Sequence, residues 1–232
     1  MLILSIDTSI RGCSVAVHRD GVLLSGGDLF TDKSSSAMLT TLMQDAVQNV
    51  GAQLSDLDAI AVAKGPGSYT GLRVGVSTAK GLCYALNKPF IAINTLEAMA
   101  WQVIPYFDEK TLFCPMIDAR RMEVYASVFN ASGETVSSTE AVIMNEGSFE
   151  SVLNHHKVVF FGDGAAKCKN LLGANAHAIF LKAEIRPSAR TVGDLAKKAF
   201  VSQIFEDVAS FEPYYLKDFM TPPSRKSASI VS

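Results

Sequence analysis

Short apolar runs and helical periods alternate along this chain in an order that occurs twice, and few folds accept such an order. Residues 2–6 are an apolar run that reads as a buried strand ending at Asp7. Cys13, Val15 and Val17 alternate with Ser14, Ala16 and His18, which predicts a second strand. Arg19-Asp20-Gly21 is a turn signal, and residues 22–25 open a third strand. Met38, Leu39, Leu42, Met43, Ala46, Val47 and Val50 then recur at helical spacing, with N-cap hydroxyls at 34–36 and Gly51 as C-cap. Residues 59–63 predict a buried strand, Gly65-Pro66-Gly67-Ser68 a loop, and 72–86 a helix. Residues 90–93 predict a strand, and 95–103 a helix capped by Thr95.

After a turn-like stretch at 105–110 the order restarts. Strands are expected at 112–117, ending at Asp118, and at 122–129 and 135–143. A short helix is expected at 149–153, a strand at 158–161, a helix at 165–172, a strand at 178–181 and a helix at 192–205. Two successive β-β-β-α-β-α-β-α units predict an α/β, two-lobed ribonuclease H-like fold, the architecture of actin and the sugar kinases. The expected lobes are 1–108 and 109–219, with the last helix of the second packing back on the first. Residues 220–232 lack periodic apolar positions and read as a tail.

Composition narrows the class. With 232 residues and 48% hydrophobic content there is material for one large core or two small ones. A net charge of −2 gives no bulk electrostatic reason to bind nucleic acid, although an uneven distribution can still hold a basic face. Cys13, Cys83, Cys114 and Cys168 form no Cys-x-x-Cys pair, which reads as reduced, partly buried thiols. The first residues are apolar but lack a basic region and a cleavage site, and no run reaches the ~18 apolar residues of a membrane span, so a cytoplasmic chain is expected.

Several segments could carry chemistry. Asp7-Thr8-Ser9 follows the first strand, where hydroxyls and turn amides of this fold class approach phosphate; it is equally an Asx-type turn. Gly65, Gly67 and Ser68 lie before a helix N-terminus, which attracts anions, but the loop lacks the ending of a P-loop. In the following helix Gly71 and Gly75 stand four residues apart, with Thr78 and Ala79 one turn on. Leu72, Val76, Ala79, Cys83 and Leu86 form an apolar stripe. A small-residue face beside a packing stripe suggests close approach by the preceding helix or by another chain. His18, His155, His156 and His177 form no metal-binding pair, and no Gly-x-Ser-x-Gly elbow marks a serine nucleophile. Arg120 and Arg121 follow Asp118 and suit either an acidic or phosphate-bearing ligand or a salt-bridged turn.

Read together, LILSIDTS, CSVAV, AVAKGPGSYTGLRVGVSTAKGL, NTLEAMA, CPMIDARRMEVYASVF and EPYYLKD resemble the TsaB (YeaZ) family, most specifically through GPGSYTGLRVG. The match is strong over residues 1–130 and weaker beyond, apart from 212–217. The resemblance implies a non-catalytic paralogue of TsaD, the subunit that transfers threonylcarbamoyl to an adenosine beside the anticodon of tRNA. It implies pairing with TsaD through the first-lobe helices, with the ATPase TsaE joining the assembly, a homodimer when alone, and only indirect contact with tRNA. No cofactor is expected in this subunit; ATP and metal belong to its partners.

The interface so implied comprises Met38, Leu39, Leu42, Met43, Ala46, Gly71, Val74, Gly75, Thr78 and Leu82. On this reading a bulky residue at Gly75 blocks partner binding and leaves the fold intact. TsaD carries a His-x-x-x-His pair on its first-lobe helix, whereas Lys33-Ser34-Ser35-Ser36-Ala37-Met38-Leu39 here holds no histidine. That opposes a metal-dependent peptidase. An ATPase or small-molecule kinase of the same fold is the other function that Asp7-Thr8-Ser9 and the glycine loops motivate.

Overall fold

The computed structural model describes residues 1–31 and 35–217, so the tail expected from 220 and the side chains at 34–36 lie outside what is described. The first half runs β1 (Leu2–Asp7), β2 (Cys13–Arg19), β3 (Val22–Leu29), α1 (Ser35–Gln48), β4 (Ala59–Gly65), α2 (Tyr69–Leu86), β5 (Phe90–Asn94) and α3 (Thr95–Trp101). The second runs β6 (Leu112–Asp118), β7 (Glu123–Phe129), β8 (Thr135–Ile143), α4 (Glu150–Leu153), β9 (Val158–Phe161), α5 (Ala165–Leu172), β10 (Ala178–Phe180) and α6 (Ala189–Val201).

Each half builds one five-stranded sheet, ordered β3-β2-β1-β4-β5 and β8-β7-β6-β9-β10. The first strand of each is antiparallel to the second and parallel to the fourth: Leu4 faces Val17 and Ile60, and Cys114 faces Phe160. The β6–β7 pair is likewise antiparallel, with Met116 opposite Ala126. Two sheets of identical order are the duplicated, two-lobed ribonuclease H-like α/β fold that the element order predicts.

The central strands read as unbroken apolar runs because both faces of each sheet are covered. Alternate residues then serve different cores. Leu2, Leu4 and Ile6 join the core beneath α1 and α2, while Ile3 joins the core beneath α6. Leu112, Cys114 and Met116 face α5, while Phe113 and Ile117 face Leu96, Met99 and Ala100 of α3. Thus α3, drawn from the first half, is buried against the second sheet and ties the lobes together.

Caps set the helix ends. Ser68 accepts from the Gly71 amide at 3.3 Å and opens α2, which ends at Asn87 with φ 50°. Asn94, not Thr95, caps α3, accepting from the Leu96 amide at 2.8 Å. An Asn in extended backbone reaches the free amides of the first turn, whereas Thr95 is already inside the helix. The last helix begins earlier and ends earlier than its apolar spacing suggests. Ser188 caps it, and beyond Val201 the chain reverses at Gln203, whose φ is 54°.

Helix α6 crosses back to the first lobe. Val192, Leu195 and Ala196 pack beside Ile3, Ala61 and Ile91. Its first turn is fixed by the Ala189 amide donating to Ser14 Oγ at 2.8 Å and by the Arg190–Asp28 ion pair at 3.0 Å. From there residues 206–217 run along the first lobe. The Glu206 amide donates to Phe90 O at 2.9 Å, Lys80 Nζ to Phe211 O at 2.8 Å, and the Tyr214 amide to Lys64 O at 2.7 Å. No helix among the described residues is long and apolar enough to cross a membrane.

All four cysteines are buried, and none is in a disulfide. Burial pushes the Cys83 thiol up to about 12 and holds Cys114 well above the usual range. The folded chain should therefore leave its thiols unreactive toward a water-soluble disulfide reagent at pH 8, all four appearing together on denaturation. A fast-reacting thiol in the native protein would contradict this packing.

Candidate functional site

The β1–β2 turn and the segment entering α2 meet at the inner edge of the first lobe. The sequence motif Asp7-Thr8-Ser9 lies there under 2% or less exposure. Gly67, Gly71 and Gly75, four residues apart, form the surface it rests on. A Cβ on Gly67 would lie 2.3 Å from Ser9 O, one on Gly71 2.0 Å from Thr8 O, and one on Gly75 2.2 Å from Thr8 Oγ1. Only glycine permits this approach.

The polar groups expected to meet phosphate are engaged within the chain. Ser9 donates to Asp7 Oδ1 through its amide at 2.8 Å and its hydroxyl at 2.7 Å. Thr8 Oγ1 donates to Gly71 O at 2.7 Å, and the Ser68 amide to Ser9 O at 2.6 Å. Gly65 is packed from the other side, with Tyr214 O 2.9 Å from where its Cβ would stand. The structure thus brings Asp7, Thr8, Ser9, Gly65, Gly67 and Ser68 together. Here they close on one another through internal hydrogen bonds.

Asp7 carries the electrostatic strain of this closure. Burial raises its carboxyl to about 6 against the lowering effect of the two Ser9 hydrogen bonds. Its Oδ2 has no partner among the described residues.

The second lobe repeats the arrangement with different chemistry. Gly162 and Gly164 approach β6, with Met116 O 2.3 Å and Ile117 C 2.9 Å from their notional Cβ atoms. Asp118, at the position equivalent to Asp7, stays exposed and pairs with Lys167. Burial raises its carboxyl and Lys167 and the Arg120 amide lower it, leaving it below the ordinary value. Asp163 Oδ1 accepts from the Asp118 amide at 2.9 Å. Among the described residues no three His, Cys, Asp or Glu side chains converge as metal donors.

Between the lobes the crevice lined by Pro66, Gly67, Tyr69, Tyr125, Tyr214 and Tyr215 holds about 30 Å³. A small-molecule site needs roughly 300 to 1,000 Å³, so the crevice has room for about one water. A larger hollow of about 400 Å³ sits between Trp101 and α6, on the far side of the first sheet, and contains none of the candidate residues.

Burial divides the residues of the expected partner face. Leu39, Met43 and Ala46 are 0 to 4% exposed and belong to the core beneath α1. Gly71 and Gly75 face Thr8, so neither the preceding helix nor another chain occupies that small-residue face. Helical spacing marks apolar residues without saying which side meets a sheet. What remains outward is Met38 on α1, with the half-buried Leu42, Val74, Thr78 and Leu82. Gly81, absent from the sequence expectation, is exposed in mid-helix with open space around its notional Cβ. A glycine that costs a helix about 1 kcal/mol without a packing reason was a signal available in the sequence. The residues lining the crevice from 214–217 were not singled out individually because nothing local marks their partners 90 to 150 residues away.

Two substitutions test this geometry. Replacing Asp7 with Asn removes a carboxylate whose rise of about two units corresponds to roughly 3 kcal/mol. A raised acid binds its proton more tightly when folded, so native stability falls as pH rises from about 4 to 6. The variant should be more stable than the native chain at pH 7, and its melting temperature should lose that pH dependence. Gly75→Ala should destabilise the fold by about 1 to 3 kcal/mol in chemical denaturation, since the methyl meets Thr8. An unchanged midpoint would contradict the contact and would restore Gly75 as a surface residue.

The family model of TsaD, tRNA N6-adenosine threonylcarbamoyltransferase, matches residues 30–228. The tRNA threonylcarbamoyladenosine biosynthesis protein TsaB of Escherichia coli is 30% identical over 226 residues, spanning 94% of this chain and 95% of that one. Among solved structures, YeaZ from Pseudomonas aeruginosa is similar with a TM-score of 0.79 and 25% identity, over 93% of this chain and 99% of that one. The activator of the 2-hydroxyisocaproyl-CoA dehydratase from Clostridium difficile, with bound ADPNP, shares the fold alone. Its TM-score is 0.51 at 8% identity, over 88% of this chain and 97% of that one. Near full-length agreement in sequence and in fold leads to one assignment: the chain belongs to the TsaB (YeaZ) family, a branch of the group that the TsaD family model describes.

Proposed function

We propose that this chain is the non-catalytic scaffold subunit of the machinery that places threonylcarbamoyl on the adenosine beside the anticodon of tRNA. The family assignment supports the pathway. The observation that supports a scaffold rather than an enzyme is the closed first hairpin. Thr8, Ser9 and the Ser68 amide are committed to internal hydrogen bonds, and the crevice beside them holds about 30 Å³. An ATPase or kinase would need those donors and far more room.

The catalytic paralogue, TsaD-like, docks on the outward side of α1 and α2. These helices lie side by side over one face of the first sheet, and Met38, Leu42, Val74, Thr78, Gly81 and Leu82 give them an exposed or half-buried surface of small and apolar residues. Apolar anchors in a well-packed patch carry most of an interface's energy. The same face pairs two copies of this chain when the paralogue is absent, so the homodimer and the complex compete. A TsaE-like ATPase joins the assembled complex in the cytoplasm. Nucleotide and metal reside in those partners, and this subunit takes no cofactor of its own.

Omitting the chain from a reconstituted reaction should abolish threonylcarbamoyl incorporation into unmodified tRNA. Incorporation that proceeds equally without it would sink the scaffold assignment. Gly81→Arg tests the face. It raises helix propensity by about 1 kcal/mol, so the melting temperature should hold or rise. Affinity for the catalytic paralogue, measured by calorimetry, should fall at least tenfold. Full affinity with a stable fold would exclude this surface.

A further inference from the structure

Four of the chain's six tyrosines, Tyr69, Tyr125, Tyr214 and Tyr215, line the crevice between the lobes. Tyr214 and Tyr215 remain 39% and 36% exposed at its mouth. The Tyr69 and Tyr215 rings lie 4.8 Å apart, with the Arg73 guanidinium 5.6 Å over Tyr69. Across the crevice Lys217 lies 5.9 Å over the Tyr125 ring and reaches Ala119 O in the β6–β7 turn.

That turn contains Arg120 and Arg121 with φ of 69° and 49°, the one adjacent pair of non-glycine residues in left-handed backbone among those described. Bulky side chains disfavour this region, and turns that require it usually carry Gly, Asn or Asp. Strain kept at two successive arginines points to use of the side chains. The turn is held firmly: the Arg120 amide donates to Asp118 Oδ1 at 2.9 Å, and Lys167 Nζ donates to Arg121 O at 2.8 Å and Glu123 O at 2.6 Å. The neighbouring carboxylates are already paired, Asp118 with Lys167 and Glu123 with Lys217. Neither arginine forms an ion pair within 4 Å among the described residues, and both are exposed. A chain of net charge −2 therefore concentrates positive charge where it concentrates stacking surface.

Stackable rings flanked by guanidinium groups suit nucleobases and the phosphates between them, the pattern of single-stranded nucleic acid recognition. An acidic peptide would use the arginines but not the aromatic surface beside them. We propose that the crevice mouth, formed by Tyr69, Arg73 and Tyr215 on one side and Arg120 and Arg121 on the other, binds a single-stranded segment of RNA. The identity of that RNA as tRNA rests on the proposed function; the place of the face rests on the geometry.

Binding of fluorescent unmodified tRNA to the chain, followed by anisotropy from 50 to 200 mM salt, tests this. The R120G/R121G variant relieves the left-handed backbone, so the melting temperature should hold, while affinity at 50 mM salt should fall at least tenfold. The slope of log affinity against log salt should shrink by about 0.7 for each phosphate that is no longer neutralised. Tyr215→Ala should weaken binding about tenfold with the slope unchanged. K110Q/K157Q removes equal charge at the opposite end of β6 and should change affinity less than about twofold. The proposal is overturned if the native chain does not bind tRNA or if R120G/R121G behaves like that control. It is also overturned if R120G/R121G loses the catalytic paralogue but keeps RNA. Where incorporation into tRNA still requires the chain, such a failure leaves the scaffold role standing and removes only this face.

Discussion

The contact of the Thr8–Ser9 turn with Gly67, Gly71 and Gly75 fixes the position of almost everything else in the first lobe. Gly67 and Gly71 meet the backbone of Ser9 and Thr8 there, and Gly75 meets the Thr8 hydroxyl, with no glycine side chain to hold them apart. It sets α2 against β1 and β4, and so determines which side of α2 is left outward. It buries Asp7 at a cost that its raised pKa records, and two Ser9 hydrogen bonds hold the carboxylate in place. In folds of this kind the same hairpin and loop can stand apart and admit a phosphate; here they are clasped. The hydroxyl that would donate to a ligand donates to Gly71 O instead.

The closure ties the first hairpin to α2. Three further devices act to the same end. Helix α3 leaves the first sheet and is buried against the second. Helix α6, last in the chain, returns to the first sheet and pairs Arg190 with Asp28. The 206–217 segment then follows the first lobe, with Phe211 against Phe90 at 5.0 Å, and enters the crevice at 214–217, with Tyr215 against Tyr69 at 4.8 Å and Lys217 paired with Glu123. The two lobes are therefore joined at three places, and chain order alone does not define them.

The two halves share topology but not electrostatics. Asp7 is sealed, whereas Asp118 is open and answered by Lys167. The outward surfaces differ as well: small and apolar over α1 and the later turns of α2, aromatic and basic at the crevice mouth, to which the first turn of α2 and the β6–β7 turn both contribute. Overall charge hides this division, since acidic residues elsewhere offset the local cluster. A near-neutral total is thus compatible with a surface that carries several guanidinium groups within one fold edge.

The fold was legible in the sequence because its signals are local. Strand and helix periods survive without knowledge of neighbours, and a doubled β-β-β-α-β-α-β-α order leaves one sensible sheet arrangement. Asp7-Thr8-Ser9 and the Gly65 to Ser68 loop were each legible as candidate segments, at the ends of two strands that the structure sets side by side. The use of that meeting was not. Whether Thr8 faces a ligand or Gly71 depends on how closely two elements 63 residues apart approach, and no periodicity encodes such a distance. The sides of α1 and α2 were undecided for a similar reason: Leu39 and Met38 are both apolar, and only the sheet beneath them makes one core and the other surface. The crevice of four tyrosines depends on chain segments from residue 69 to residue 215 arriving at one point, a product of tertiary closure alone.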